Sequence, residues 1–222
     1  MENIHEAFVN DIVRLPSIER VFQKHIIDGP SYFFKNVAQK IDDEYQLRDE
    51  LAKSINVNIN DVIIVGSAKL GFSIKSKELN LFDAKFESTK ALSDRSDIDI
   101  AIINKEFFDK TTRHMFSLSR RYEKAWIDQN WTRNDFYRHI EDDEDSIFQR
   151  YCKYVAMGWL RPDLLPLQYH NNAPWGDTVT KWKRKYLQRK ISVGIYSDWF
   201  YLKNYQIKSL ETLKSKIEEL EV

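Results

Sequence analysis

The sequence is poor in cysteine, glycine and proline, and each shortage excludes a class of protein. A single cysteine, Cys152, among 222 residues allows neither a disulfide within the chain nor a zinc site built from several cysteines. Six glycines and five prolines are too few for a loop-rich or all-β chain, and they favour long helices. Hydrophobic residues at 42% and charged residues at 31% are instead typical of a globular protein.

The chain also lacks a charge excess, a secretory signal and a long apolar run. Its 34 basic and 34 acidic residues cancel, whereas proteins that bind long duplex nucleic acid usually carry a basic excess. Residues 1–16 contain no basic segment followed by an apolar core. No stretch approaches the roughly 18 apolar residues of a membrane span. We therefore expect a cytoplasmic protein that binds no membrane.

The spacing of apolar residues predicts an α/β fold, α+β in organisation, with a small mixed sheet and helices at both ends. Helical spacing predicts helices over 16–27, 31–55, 106–140 (one helix or two in series), 147–160 and about 198–222. Runs that are β-branched or alternating, bounded by turn signals, predict strands over 61–65, 96–103 and 191–197. The polar stretch 74–95 is predicted as a loop or an irregular hairpin.

We predict a single domain over residues 1–222, because no clean linker and no internal repeat divides the chain. Its three parts are a helical N-terminal segment at 1–60, a core with the chemical motifs at 61–104, and a mainly helical remainder at 105–222. The remainder contains the further strand near 191–197. The amphipathic tail is interpreted as core packing or a subunit contact.

Two aspartates open the second predicted strand. Asp97 and Asp99 are separated by one residue, so strand alternation places both on the same face. Such a pair can jointly hold Mg²⁺ ions, two of them roughly 3.5–4 Å apart, as phosphoryl and nucleotidyl transfer require. Magnesium suits hard oxygen ligands and takes its remaining ligands from water and phosphate. An alternative interpretation is that both are turn or capping residues.

A glycine-containing turn ends the first predicted strand. Gly66 allows the backbone to approach a phosphate closely, and Ser67 offers a hydroxyl at the start of a helical turn. A plain strand-to-helix turn would look similar. The residues that we predict to hold the phosphates of a nucleoside triphosphate are Gly66, Ser67, Lys69 and Ser73.

The combination resembles the DNA polymerase β-like nucleotidyltransferase superfamily. The family pattern is Gly-Ser at a strand end, a further glycine in the following turn, and Asp-x-Asp on the next strand. This sequence matches it mainly within 61–104, about a fifth of the chain, through Gly66-Ser67, Gly71, Asp97 and Asp99. The resemblance implies Mg²⁺-dependent transfer of a nucleotidyl group from a nucleoside triphosphate to an acceptor. It also implies that Asp97 and Asp99 bind metal and that Ser67 contacts the triphosphate.

Two features depart from the family pattern. The gap between Ser67 and Asp97 is longer than in minimal members, so 74–95 is interpreted as an insertion that forms a lid or an acceptor surface. Active members also usually carry a third carboxylate on a later strand beside the Asp-x-Asp strand.

The best match for the third carboxylate is Asp198, at the end of the strand near 191–197, and we predict it as the third catalytic acid. Weaker alternatives, all on predicted loops, are Asp83, Glu87 and the acidic run 141–145. That run is otherwise a solvated surface turn. The five histidines show no metal-ligand spacing. The basic segment 181–185 could bind phosphates or stack Trp182 on a base, but a solvated helix face with one packed tryptophan is the favoured interpretation.

The acceptor and the class of function stay open. The family includes enzymes that modify nucleic-acid 3′ ends, nucleotides, proteins and small antibiotics, and standalone bacterial members often serve antiviral defence or toxin–antitoxin modules. Neutral charge and no recognisable RNA-binding appendage favour a nucleotide or oligonucleotide product. One rival is a degenerate fold that binds a nucleotide or a partner chain without turnover. Another is a toxin-like enzyme that nucleotidylates a protein or a small molecule. A homo-oligomer or a regulatory protein partner is compatible with either.

Overall fold

Helices surround one small mixed sheet in the computed structural model, which describes residues 4–73, 80–131, 146–166, 169 and 173–220. The helices are α1 Ile4–Arg14, α2 Ile18–Val21, α3 Ile41–Ile55, α4 Ser67–Leu70, α5 Ala84–Thr89, α6 Lys105–Leu118, α7 Lys124–Asn130, α8 Ile147–Ala156, α9 Gly176–Lys185 and α10 Trp199–Leu220. The strands are β1 Val62–Val65, β2 Ile98–Ile103, β3 Trp159–Leu160 and β4 Ile191–Tyr196. The predicted α+β class with flanking helices is confirmed. No helix within the described ranges has both the length and the apolar character to cross a membrane.

The sheet has the order β1-β2-β4-β3, and the two longest strands lie at its centre. β2 is antiparallel to β1 and parallel to β4, while β3 is antiparallel to β4. Alternate residues of β2 enter two different apolar clusters. Ile98, Ile100 and Ile102 lie in one cluster, and Ala101 and Ile103 lie in the other. Both faces of β2 are therefore covered, which explains why it is a nearly continuous apolar run after its first polar residues.

Two of the predicted helices are interrupted in the structure. The predicted helix 31–55 is interrupted at Gln39, whose φ of 54° separates a π-helical turn at Phe33–Val37 from α3. The predicted helix 106–140 divides into α6 and α7, because the backbone takes positive φ values over 120–122. Its end, 132–140, and the acidic run 141–145 lie outside the described residues.

The predicted helix 147–160 is wrong at its end. α8 stops at Ala156, Gly158 takes a φ of 64°, and the next two residues form β3. A Cβ at Gly158 would collide with the ring of Tyr201. The close approach of α10 and the hydrogen bonds to β4 thus turn this segment into a strand that the helical spacing does not reveal.

The predicted insertion 74–95 has more structure than a loop. A bridge between Phe72 and Leu81 starts it, α5 follows, and a 3₁₀ turn at Leu92–Asp94 leads back to β2. Residues 74–79 lie outside the described part of the chain. The bridge agrees with the predicted irregular hairpin, whereas α5 was not predicted.

Candidate functional site

The two predicted motifs meet at one edge of the sheet. In the antiparallel pair of β1 and β2, Val65 lies opposite Asp99, and the chain leaves β1 at Gly66. A Cβ placed on Gly66 would lie 2.9 Å from Oδ2 of Asp99. Gly66 has φ 68° and ψ −152°, a conformation that is open essentially to glycine alone. The glycine turn therefore lies beside the carboxylate of Asp99, with no room for a larger residue.

Asp97 and Asp99 lie at the start of β2 and are half-buried. Their neighbours on the parallel strand β4 follow from the register, in which Asp99 lies opposite Ser192. Lys190, two residues earlier, donates from its Nζ to Oδ2 of Asp97 at 2.7 Å. The residue beside Asp97 is thus a lysine just before β4, and the residue beside Asp99 is a serine on β4, so neither position supplies a third carboxylate.

Lys190 is held in its charged form by the acids around it. Burial acts to lower its pKa, but the hydrogen bond and charge of Asp97, followed by the charges of Asp99 and Asp163, raise the pKa above the ordinary lysine value. The Lys190 ammonium is therefore a positive charge within the field of several carboxylates at this edge.

A buried ion pair joins the insertion to the residue before Asp97. The guanidinium of Arg189 donates two hydrogen bonds to the carboxylate of Asp83, at 2.8 and 2.7 Å, and a third to the carbonyl of Ser96 at 2.7 Å. The N–H of Ser96 donates to Oδ1 of Asp83 at 2.8 Å. This network fixes the approach to Asp97. Asp83, a weaker alternative for the third acid, is thus committed to Arg189.

The predicted third acid, Asp198, is not brought to this edge. Ser192 lies beside Asp99, and the remainder of β4 runs about 13 Å further to Tyr196 at roughly 3.3 Å per residue before Asp198 is reached. Oδ1 of Asp198 accepts from the N–H groups of Phe200 at 2.8 Å and Tyr201 at 3.4 Å. Asp198 therefore caps the start of α10 at the opposite end of the strand. Parallel pairing of β4 with β2 decides this placement.

Lys69 does not reach the carboxylates either. Its side chain is 3% exposed, donates to the carbonyl of Gly29, and lies 4.0 Å from Oε1 of Glu44. Burial lowers the pKa of Lys69 to about 8. It lines a cavity of about 340 Å³ that neither Asp97 nor Asp99 lines. The side chain therefore points into the N-terminal helical region rather than towards a triphosphate at the sheet edge.

The two predicted serines take different places. Ser67 is the first residue of α4, directly after Gly66, and it is half-buried. Ser73 lies past the bridge between Phe72 and Leu81, and its N–H donates to the carbonyl of Asn80 at 2.8 Å. Ser67 thus shares the turn that lies beside Asp99, whereas Ser73 belongs to the base of the insertion.

The basic segment 181–185 is a helix face with a packed tryptophan, as its favoured interpretation states. Trp182 is 1% exposed, and its Nε1 donates to Glu50 at 2.9 Å. Lys181 and Lys185 pair with Glu50 and Asp43 on α3. The segment therefore fastens α9 to α3, and Trp182 is not available to stack on a base.

The donor set at the sheet edge fits a magnesium ion that arrives with phosphate ligands. Across the described ranges, no group of three or more His, Cys, Asp and Glu side chains is placed to hold a metal ion. Asp97 and Asp99 supply two carboxylates, and Mg²⁺ is commonly bound by one or two carboxylates together with substrate phosphates and water. The chemistry of the donors thus suits a nucleotide-bound magnesium better than a cation caged by protein alone.

Sequence reasoning missed Ser96, Arg189, Lys190 and Ser192, the residues that surround the acid pair. The available signal was the basic pair at 189–190 directly before a strand expected beside Asp97 and Asp99. Comparison of the chain with protein-family models, curated proteins and solved structures finds no match. The motifs and the geometry of this edge are therefore the features of the chain that point to a function.

Proposed function

We propose that the chain is a Mg²⁺-dependent nucleotidyltransferase that transfers a nucleoside monophosphate or deoxynucleoside monophosphate from a triphosphate to an acceptor. The carrying observation is the position of the Gly66 turn directly beside Asp99, so close that a Cβ on Gly66 would crowd the carboxylate, which unites the two motifs at one sheet edge. A phosphate site and a carboxylate pair are both needed for nucleotidyl transfer, and neither alone would favour it. Helices α3 and α9 pack in the apolar cluster on one face of the sheet, and α1 and α10 pack in the cluster on the other.

In the proposed reaction, the acceptor oxygen attacks the α-phosphorus and the bond from that phosphorus to the bridging oxygen breaks, releasing pyrophosphate. Asp97 and Asp99 would hold magnesium, which would neutralise charge on the triphosphate when bound. Gly66 and Ser67 would lie against the phosphates through backbone and hydroxyl. The acceptor's proton would pass to a carboxylate of the pair, because the Ser192 hydroxyl is not a base at neutral pH.

The acceptor that we favour is a nucleotide or a short oligonucleotide, with a role in bacterial antiviral defence. The support is the neutral net charge, whereas proteins that bind long nucleic acids usually carry a basic excess, and the packed state of Trp182, which keeps the tryptophan of the basic segment 181–185 from stacking on a base. A toxin-like enzyme that nucleotidylates a protein or a small molecule would use the same site.

A second candidate is a nucleotide-binding module without turnover. The specific observation in its favour is the register that places Ser192 beside Asp99, where a third carboxylate would complete the metal site. Such a module would bind a nucleotide with Mg²⁺ and release no pyrophosphate. Pyrophosphate release by the native chain separates the two candidates, and if the native chain only binds the nucleotide, Ser192→Asp is expected to create turnover by completing the set of acids.

The test is pyrophosphate release from each ribo- and deoxyribonucleoside triphosphate with Mg²⁺. We expect the native chain to release pyrophosphate and the rate of release to fall at least about 100-fold in Asp97→Ala or Asp99→Ala. A loss of this size is typical when a group that stabilises transition-state charge is removed. Asp198→Ala is the control acid, because it lies at the far end of β4, and it should stay within about twofold. Radiolabel from the α-phosphate identifies the product as nucleotide or protein.

Failure has a defined form for each candidate. No release from any triphosphate, with or without nucleic-acid acceptors, together with calorimetric binding of an α,β-methylene triphosphate, would replace the enzyme with the binding module. If the chain neither releases pyrophosphate nor binds the triphosphate analogue, both candidates are excluded. Equal losses in Asp198→Ala and Asp97→Ala would contradict the assignment of the activity to the edge that Asp97 and Asp99 share.

A further inference from the structure

One side chain already places a positive charge beside the carboxylate pair. Lys190 precedes β4 directly, and the N–H of Ile98 donates to its carbonyl at 2.9 Å, so the lysine lies across from Asp97. Its Nζ is 2.7 Å from Oδ2 of Asp97. The carboxylates of Asp99 and Asp163 also act electrostatically on this ammonium. The ammonium thus lies in the negative field that would attract a divalent cation.

The contact is of a kind that can be exchanged. The Lys190 side chain is 67% exposed and that of Asp97 is 32% exposed. An exposed lysine on a flexible four-carbon stem gains little from such a pair, because water competes for both charges. The side chain can therefore leave Asp97 without disturbing the fold. A bound divalent cation would bring two positive charges to the same carboxylate oxygen, twice the charge of the Lys190 ammonium.

We propose that Lys190 is a tethered cation that occupies the position beside Asp97 until a divalent metal displaces it. This inference rests on the proposed function, in which Asp97 and Asp99 hold Mg²⁺. It assigns the metal affinity of the free chain to a competition between the ammonium and the ion. A triphosphate shifts that competition, because it brings negative charge that can take up the released ammonium as well as oxygen ligands for the metal.

The proposal is tested by Mn²⁺ binding without nucleotide, with free Mn²⁺ measured by electron paramagnetic resonance. Lys190→Met is expected to bind Mn²⁺ about tenfold more tightly than the native chain, because both the ion pair and the repulsion of the metal are lost. Lys190→Arg keeps the charge and should stay within about twofold of native. Asp97→Asn combined with Lys190→Met should lose the gain.

A matched control is available on α9. Lys181 pairs with Glu50 at 2.6 Å, and the two side chains are 62% and 31% exposed, nearly the values of the Lys190 pair. Lys181→Met removes the same charge and the same kind of contact away from the site. Its Mn²⁺ dissociation constant should equal that of the native chain. A tightening equal to that of Lys190→Met would overturn the proposal in favour of a general charge effect.

Other outcomes also decide against the proposal. Unchanged or weaker Mn²⁺ binding in Lys190→Met would show that the ammonium does not compete with the metal. A gain that survives in the double variant would place the metal elsewhere. The proposed function fails separately, by absence of pyrophosphate release, so a chain with the Mn²⁺ gain and no turnover would keep the tethered cation and lose the enzyme.

Discussion

Two consecutive residues, Arg189 and Lys190, pair with acids near the start of β2 in opposite ways. Arg189 and Asp83 have side chains only 6% and 12% exposed and share two hydrogen bonds. Lys190 and Asp97 are 67% and 32% exposed and share one. Burial and a bidentate geometry make the first pair a permanent part of the fold, whereas exposure makes the second pair exchangeable.

The contrast shows how the chain can combine a rigid frame with an adaptable site. Arg189 holds the insertion and Ser96 in place, and the rings of Phe33 and Phe82 lie 5.1 Å from its guanidinium carbon. One residue later, the strand alternation turns the next side chain to the edge where Asp97 lies. The same short segment thus anchors the backbone ahead of Asp97 and supplies a charge that can move away from it.

The largest expected effect is on the buried pair. Arg189→Met should lower the free energy of unfolding by about 3–5 kcal/mol, because Asp83 is left buried without its partner. Urea unfolding followed by circular dichroism measures the loss. Asp83→Leu combined with Arg189→Met should recover part of it, since no unpaired charge then stays buried. A loss no larger than that of Lys190→Met would break the comparison.

Lys69 extends the contrast to a buried lysine. Burial lowers the pKa of Lys69 from 10.5 to about 8. Between these two pH values, Lys69 is protonated in the unfolded chain and neutral in the folded chain. Raising the pH from 7 to 10 should therefore stabilise the native chain relative to Lys69→Met, by up to about 3 kcal/mol. Urea unfolding of both proteins at the two pH values measures it. If the difference in free energy of unfolding between the native chain and Lys69→Met is the same at both pH values, burial does not lower the pKa of Lys69.

The space between Gly66 and Asp99 is too small for a larger residue, and a substitution at Gly66 tests whether this matters for the carboxylate pair. Gly66→Ala places a side chain on a backbone conformation that essentially only glycine adopts, and it crowds Oδ2 of Asp99. We therefore expect the free energy of unfolding to fall by about 1–3 kcal/mol and Mn²⁺ binding to weaken. Gly176→Ala is the control, because an added Cβ there meets nothing within 4 Å at the start of α9. Equal Mn²⁺ affinity in Gly66→Ala and Gly176→Ala would show that crowding at Gly66 does not affect metal binding by Asp97 and Asp99.

The smallest expected effect is on the exposed pair. Lys190→Met should change the free energy of unfolding by less than about 1 kcal/mol, since exposed ion pairs contribute little. The change should shrink further in high salt, which screens exposed charges. Urea unfolding at low and high sodium chloride measures both. A loss of several kcal/mol would make Lys190 a structural residue and would remove the basis for its exchange.

Much of the sheet could be predicted from local patterns. The runs at 61–65, 96–103 and 191–197 contain β1, β2 and β4, because buried β-branched residues bounded by turn signals have few other solutions. The tail helix was predicted for a similar reason, since its apolar spacing continues over many turns. β3 could not be predicted, because its two residues become a strand only through their bonds to β4.

The surroundings of the acid pair could not be predicted in the same way. The resemblance pointed to Gly66, Asp97 and Asp99, and the structure places Gly66 against Asp99. Asp198 was chosen because it follows the right strand, but the parallel register puts that end of β4 far from the acids. Strand direction and register depend on long-range packing, which no local pattern contains.

The sequence by itself determined the two motifs, the alternation that puts Asp97 and Asp99 on one face, and the glycine that can turn beside them. Those features depend on residues a few positions apart and on backbone preferences that act locally. Only the tertiary structure decided that Ser192 and Lys190 stand beside the acids, that Arg189 is buried on Asp83, and that Lys69 points away. Each of these depends on which strands pair and which faces are covered, and both are settled by burial of apolar surface across the whole chain.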